Sequence, residues 1–164
     1  ARGGTLFLDE VDCLPLRVQT MLFRAFEDGY YMPLGAERPE PLDIRLIAAT
    51  EKSLTNHIRK GKFKENLYYR LNVFQLQIPP LRERKGDIVF LVYQNIRCLN
   101  ERGEKTVKGF ALDALQALRR YYYPGNIKEL ENIIKYAHIL AQGESISLSD
   151  LPSRLSEEKK PKDF

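Results

Sequence analysis

The sequence predicts an α/β unit followed by a small all-α bundle, and three observations predict it. Two short apolar runs, Thr5-Leu6-Phe7-Leu8 and Ile44-Arg45-Leu46-Ile47-Ala48-Ala49, have strand length and end on polar residues. Segments with apolar residues at helical spacing separate such runs, which implies parallel βα units. From Leu81 onward only helical periodicity remains.

The opening stretch, Gly3-Gly4-Thr5-Leu6-Phe7-Leu8-Asp9-Glu10, predicts a fully buried strand bounded by a glycine pair and two acids. In an open parallel sheet, side chains at a strand's C-terminal end emerge into the crevice where ligands bind. Asp9 and Glu10 would emerge there. Adjacent carboxylates at that point suit phosphoryl chemistry, one helping to hold Mg²⁺ and the other orienting or deprotonating a water. From these eight residues alone, two acids capping the next turn are the simpler reading.

Pro15 suits the first turn of a helix, and Leu14, Val18, Met21, Leu22 and Phe26 give it one face to pack on the sheet, with Glu27-Asp28-Gly29 as its end. Residues 30–41, with Pro33, Gly35, Pro39 and Pro41, suit an irregular hairpin or protruding loop. The strand from Ile44 finishes at Thr50 and Glu51, again polar. Ser53 can cap a short helix through Leu54 and Ile58, broken by Gly61. A further helical piece runs from about Phe63 to Leu71 and carries Lys64, Glu65 and Arg70. Val73 to Ile78 alternates weakly and predicts a third strand, stopped by Pro79-Pro80.

In the bundle, Asp87 could cap a helix with Ile88, Leu91, Val92 and Ile96 inward, closed by Gly103. A second helix uses Leu112, Leu115 and Leu118 and stops before Tyr123-Pro124-Gly125. Asn126 with Glu129 forms a capping-box pattern, and Leu130, Ile133, Ile134, Ala137 and Leu140 share a face up to a stop at Gly143. There is no internal repeat.

With 164 residues and 43% apolar content, the chain suffices for one domain, or one plus a small companion. A net charge of +4 with interspersed signs does not demand nucleic acid. Charge clusters only in Glu157-Glu158-Lys159-Lys160-Pro161-Lys162-Asp163, a solvated tail or linker. Cys13 and Cys98 are isolated, so a reduced, cytosolic protein is the default. No apolar run approaches the ~20 residues that span a bilayer, and no signal peptide precedes the first strand. His57 and His138 lack metal-ligand spacing and are expected to be incidental. Starting without Met, almost inside a strand, the chain is expected to be a piece of something longer.

Five ordered blocks carry a family resemblance. Gly3-Gly4-Thr5-Leu6-Phe7-Leu8-Asp9-Glu10 resembles the Walker B strand of AAA+ ATPases, particularly the bacterial enhancer-binding proteins that activate sigma-54 RNA polymerase. The resemblance continues through Arg45-Leu46-Ile47-Ala48-Ala49-Thr50, Leu67-Tyr68-Tyr69-Arg70-Leu71-Asn72-Val73-Phe74, Pro79-Pro80-Leu81-Arg82-Glu83-Arg84 and Pro124-Gly125-Asn126-Ile127-Lys128-Glu129-Leu130-Glu131-Asn132. It covers nearly everything from residue 2 to about 152. The implied fold is part of the parallel sheet of a P-loop NTPase over residues 1–80, a helical lid over 81–152, and a charged tail or linker over 153–164.

The resemblance implies roles residue by residue. Asp9 matches the acid that supports Mg²⁺, and Glu10 the acid that activates water against the γ-phosphate of ATP. Thr50 and Glu51 occupy the first sensor, where the family usually has a polar amide at the second position; a carboxylate there would repel phosphate unless it points away. Lys64 and Arg70 align with two arginines offered to the nucleotide of a neighbouring subunit. Arg70 keeps the fork suited to phosphate oxygens, whereas Lys64 keeps only charge. Lys128 aligns with the second sensor, normally Arg, and Ile127 beside it would lie against the base. For Lys64, Arg70 and Lys128 the plain alternative is ordinary surface charge. Tyr68-Tyr69 and Tyr121-Tyr122-Tyr123 resemble base-stacking platforms but lack a basic stripe, so packing is the better reading; Tyr123 stands where the family usually has Trp.

No G-x-x-x-x-G-K-[ST] loop occurs in the sequence. The family places that loop, and the loop gripping the sigma factor, upstream of Walker B. The resemblance therefore implies a bacterial, cytoplasmic parent: a homo-oligomeric ring using ATP and Mg²⁺ to remodel sigma-54 holoenzyme, reaching DNA only through a further C-terminal domain. The chain itself is expected to be catalytically incomplete. The departures at Glu51, Lys64 and Lys128 also admit a non-enzymatic assembly or scaffold remnant of an AAA+ domain. A different AAA+ remodeller, such as a chelatase-like subunit, fits the blocks less well.

Overall fold

β1 (Gly4–Leu8) leads through a 3-10 turn over Val11–Cys13 into α1 (Leu16–Asp28). The structure is a computed structural model describing residues 1–103 and 105–155; of the tail expected over 153–164, Ser153–Leu155 instead forms a 3-10 turn that buries Leu155 in the core, and the rest lies outside the described residues. Pro15 immediately precedes α1, and Gly29 closes it at φ 72°, its N–H bonded to the Ala25 carbonyl. Glycine takes that left-handed conformation without a Cβ penalty. β2 (Tyr30–Tyr31) and β3 (Glu40–Pro41) pair antiparallel as the expected irregular hairpin. β4 (Ile44–Ala48) then lies parallel to β1, Leu6 opposite Leu46 and Leu8 opposite Ala48. Ser53 caps α2 (Leu54–Arg59) by accepting the Asn56 N–H at 3.3 Å, and α3 (Glu65–Leu71) follows. This first unit spans Ala1–Leu76.

Three expectations fail in this unit. β1 is a strand but is not fully buried: Leu6 and Leu8 are half-buried, while Phe7 is 58% exposed. A parallel strand is covered on both faces only when layers lie on both, and among the described residues β1 pairs with β4 alone. The apolar face assigned to α1 holds only at Leu14, Leu22 and Phe26, which are half-buried. Val18 and Met21 are exposed, α1 packs against α3, and the side chain it buries fully is Gln19. Val73 to Ile78 forms no strand, because no edge among the described residues pairs with it; Phe74 is 83% exposed.

The second unit begins at Gln77. It contains α4 (Asp87–Arg102), β5 (Gly109–Phe110), α5 (Leu112–Arg120), α6 (Asn126–Leu140) and β6 (Ser145–Ile146), which pairs parallel with β5. Ile88, Val92 and Ile96 of α4 meet Leu118 of α5 and Leu130, Ile133, Ile134 and Ala137 of α6 in one buried core. Each of these valine, leucine and isoleucine side chains contributes roughly 1.5–3 kcal/mol by leaving water. The expected faces hold at these positions, whereas Leu112 and Leu140, at helix ends, are exposed.

The capping box expected at Asn126 is not formed. Asn126 lies in the left-handed region at φ 54°, and its Oδ1 accepts the buried Leu81 N–H at 2.8 Å. Only the reverse half of the motif exists, with Glu129 Oε2 accepting the Gly125 N–H at 2.9 Å. α6 ends at Leu140, before Gly143, and the Lys105 ammonium donates to the Ile139 and Ala141 carbonyls at that end. The Tyr121 and Tyr123 rings meet edge to face at 5.0 Å inside the bundle, consistent with packing.

Candidate functional site

The C-terminal ends of β1 and β4 are joined by a bulge that determines where the two acids go. Ala49 donates to the Leu8 carbonyl at 2.8 Å and accepts from the Val11 N–H at 3.1 Å. Because Ala49 stands opposite Asp9, a regular parallel ladder would use the Glu10 N–H; the backbone has inserted one extra residue. Glu10 takes up that residue in the left-handed region at φ 49°, and its N–H bonds instead to Asp9 Oδ1 at 2.9 Å. A non-glycine residue held there costs on the order of 1 kcal/mol. Both acids are thereby turned outward and exposed.

Thr50 follows Ala49 and is half-buried beside this bulge. Its hydroxyl donates to Asp12 Oδ1 at 2.6 Å and accepts the Lys52 N–H at 3.1 Å. The Lys52 ammonium lies 2.8 Å from Asp12 Oδ2. These hydrogen bonds, led by that from Lys52 and then that from Thr50, hold the Asp12 carboxyl down to about 2 against the opposing effect of burial. The same partner raises Lys52. Glu51 is exposed.

Lys64 and Arg70 stand at opposite ends of α3. Lys64 is its N-cap residue and is half-buried; its backbone N–H donates to Gln19 Oε1 at 2.8 Å. Arg70, in the last turn and exposed, donates from Nη2 to the Phe26 carbonyl at 2.6 Å, where α1 has run out of intrahelical donors. Ile127 and Lys128 belong to the second unit, in the first turn of α6. Ile127 is half-buried, and exposed Lys128 pairs with Glu131 at 3.3 Å.

The first unit thus brings Asp9, Glu10 and Thr50 to one end of its two-stranded sheet and carries Lys64 and Arg70 on α3. Asp12 and Gln19 are the residues that sequence reasoning missed. Asp12 gives no periodic signal. Gln19 does give one: it is a polar side chain three and seven residues before Leu22 and Phe26, on a face otherwise apolar.

Among the described residues no cluster of three or more His, Cys, Asp or Glu could hold a metal unaided. Asp9 offers one exposed carboxylate, its Oδ1 already accepting the Glu10 N–H. That donor set fits Mg²⁺ shared with a nucleotide's phosphates rather than a cage of protein ligands. No helix among the described residues is long and apolar enough to cross a membrane. His57 Nδ1 lies 3.1 Å from the Ser53 carbonyl, and His138 Nε2 lies 2.9 Å from Asn100 Oδ1.

Comparison with known proteins follows the same division. Residues 1–77 match the model of the sigma-54 interaction domain, and residues 82–163 match that of the AAA+ ATPase lid domain. The chain belongs to the sigma-54-interacting AAA+ family. The transcriptional regulatory protein ZraR of Salmonella typhimurium is 43% identical over 152 residues, 93% of this chain and 34% of that protein. The DNA-binding transcriptional regulator NtrC of the same organism is 39% identical over 161 residues, 98% of this chain and 34% of that protein. The chain therefore spans about a third of the length of these relatives.

Among solved structures, NtrX from Brucella abortus superposes with a TM-score of 0.89 at 30% identity, covering 97% of this chain and 37% of that one. NtrX in complex with ATP superposes with a TM-score of 0.86 at 30% identity, covering 99% of this chain and 38% of that one.

Proposed function

We propose that this sigma-54-interacting AAA+ chain carries part of the ATP-hydrolysing centre of an oligomeric transcriptional activator that remodels sigma-54 RNA polymerase. Residues 1–80 supply the C-terminal part of the α/β subdomain, and residues 81–152 supply the lid. The observation that carries this reading is the bulge after β1, which spends backbone strain to turn Asp9 and Glu10 outward beside Thr50.

In this reading Mg²⁺ bound with ATP supplies charge neutralisation at the phosphates. Asp9 would hold that ion. Glu10, one residue on and with no partner for its carboxylate among the described residues, orients and deprotonates the attacking water. Thr50 senses the γ-phosphate, and Arg70 offers its fork to the nucleotide of the neighbouring subunit, with Lys64 adding charge from the other end of α3. Ile127 and Lys128 contribute the lid's side of the nucleotide site, Ile127 against the base and Lys128 as the second sensor.

The test is ATP turnover by the full-length protein, together with activation of a sigma-54-dependent promoter. Glu10→Gln should reduce turnover at least about a hundredfold while nucleotide still binds. Arg70→Ala should reduce it by about a thousandfold, and mixing the two variants should restore activity, since each supplies what the other lacks. Turnover unchanged by either substitution would overturn the reading and favour a scaffold role.

A further inference from the structure

Gln19 is the largest polar side chain shut away in the first unit, with no solvent exposure. A buried primary amide is costly unless its donors and acceptor are matched. Here they are. Nε2 donates to the Leu14 carbonyl at 2.7 Å and to the Lys62 carbonyl at 3.1 Å, and Oε1 accepts the Lys64 N–H at 2.8 Å. One side chain therefore ties the turn before α1 to the chain entering α3.

The other end of α3 is tied to α1 as well, through Arg70 and the Phe26 carbonyl. Along α1, the seven-residue step from Gln19 to Phe26 rises about 10 Å; along α3, the six-residue step from Lys64 to Arg70 rises about 9 Å. The two helices are thus fastened at matched distances, and the Gln19 end is the buried one. The tie at Arg70 uses the exposed guanidinium itself, which must leave the Phe26 carbonyl to reach a phosphate. The tie at Gln19 uses backbone atoms of residues 62–64 and can persist while Lys64 and Arg70 engage a partner.

We infer that Gln19 is a positioning residue for the neighbouring subunit's nucleotide site, setting the register of α3 on α1 and so the reach of Lys64 and Arg70. This rests on the proposed trans action of α3. Gln19 itself touches no nucleotide. Its effect is exerted on the site next door, and that distinguishes it from a residue needed for its own subunit's ATP binding.

The experiment mixes subunits of the full-length protein and reads ATP turnover. Gln19→Met keeps length and burial but removes all three hydrogen bonds. Alone, it should lower kcat about tenfold or more with KM for ATP changed less than about threefold. Mixed with Glu10→Gln, whose α3 is intact, it should recover turnover, because its own Asp9 and Glu10 are sound. Mixed with Arg70→Ala, it should not.

Gln19→Glu, which retains the acceptor for the Lys64 N–H, serves in the same mixing if the Met variant fails to fold. Failure of Arg70→Ala and Glu10→Gln to complement each other would sink the trans reading itself. If that pair complements but neither Gln19 variant is rescued by Glu10→Gln, the positioning inference falls while the reading stands. Failure of both Gln19 variants to fold would also overturn it, since Gln19 would then serve the unit as a whole.

Discussion

The Thr50 hydroxyl donates to Asp12 Oδ1 at 2.6 Å, so the residue after β4 is fastened to the turn that follows Asp9 and Glu10. Asp12 is almost fully buried and receives Lys52 on its other oxygen at 2.8 Å. A buried carboxylate with both oxygens engaged stabilises the arrangement, and removing one partner leaves the remainder unmatched.

Asp12→Ala should therefore destabilise the protein by about 1.5–3 kcal/mol, the range for hydrogen bonds to a charged group. Thr50→Val should show part of that loss, and Lys52→Ala the least, because the lysine is 58% exposed and screened by solvent. Urea denaturation of the three variants checks the order. The pH dependence follows from the sign. The Asp12 pKa is depressed to about 2, so the unfolded chain binds the proton first as pH falls. The contribution is complete above the ordinary carboxylate range and is lost between about pH 4 and pH 2. Asp12→Asn should flatten the unfolding curve in that window.

The elements themselves were legible where the signal is local. Ser53 as a cap, Gly29 as a stop and the inward positions of α4 and of α6 up to Ala137 depend on residues within a turn or two, and these appear. What failed depends on partners distant in sequence. The burial of β1 needs covering layers, and a strand at Val73–Ile78 needs an edge to pair with; neither need can be read from the segment itself. Asn126 carries a capping signature yet spends its side chain on Leu81, 45 residues away. At the candidate site the acids and the α3 cations were visible as motif residues. Asp12 was not, because it acts across 38 residues of chain through a hydrogen bond that no periodicity records; Gln19 stood out only as a polar break in an apolar face, and its partners, up to 45 residues away, could not be read from α1.

Asn126 meets two demands at once, a left-handed backbone and an acceptor for the Leu81 N–H. The substitutions that separate them should rank accordingly. Asn126→Asp keeps the acceptor and tolerates the backbone, and should lie within about 1 kcal/mol of the native protein. Asn126→Gly keeps only the backbone freedom, and Asn126→Ala keeps neither. The stability order Asp, Gly, Ala, measured by thermal or urea unfolding, checks the assignment; Ala above Gly would contradict it.

Tyr123 is buried, sits at φ 56°, and donates its hydroxyl to the Leu118 carbonyl at 2.7 Å. That carbonyl is in the last turn of α5, where intrahelical donors have run out. Burial pushes the phenol's pKa upward, so it stays a donor throughout the accessible pH range. Tyr123→Phe keeps the ring contact with Tyr121 and leaves the carbonyl unmatched. It should cost about 1–2 kcal/mol with no change in the denaturant slope.

His138 gives the second unit a pH response at milder acidity. It is buried on α6, with Nε2 2.9 Å from Asn100 Oδ1, an oxygen that also accepts the Val107 N–H at 3.1 Å. Burial first, and the nearby Lys105 charge second, hold its pKa below the ordinary histidine value. The folded protein therefore resists a proton that the unfolded chain accepts, and stability falls as pH drops below about 6.5. His138→Gln can still donate to Asn100 but cannot titrate. Urea midpoints measured from pH 8 to pH 5 should decline below about 6.5 in the native protein, and less steeply in the variant. Parallel curves would show that His138 is protonated as readily in the folded state as in the unfolded one, and would remove the Asn100 contact as a reason for its burial.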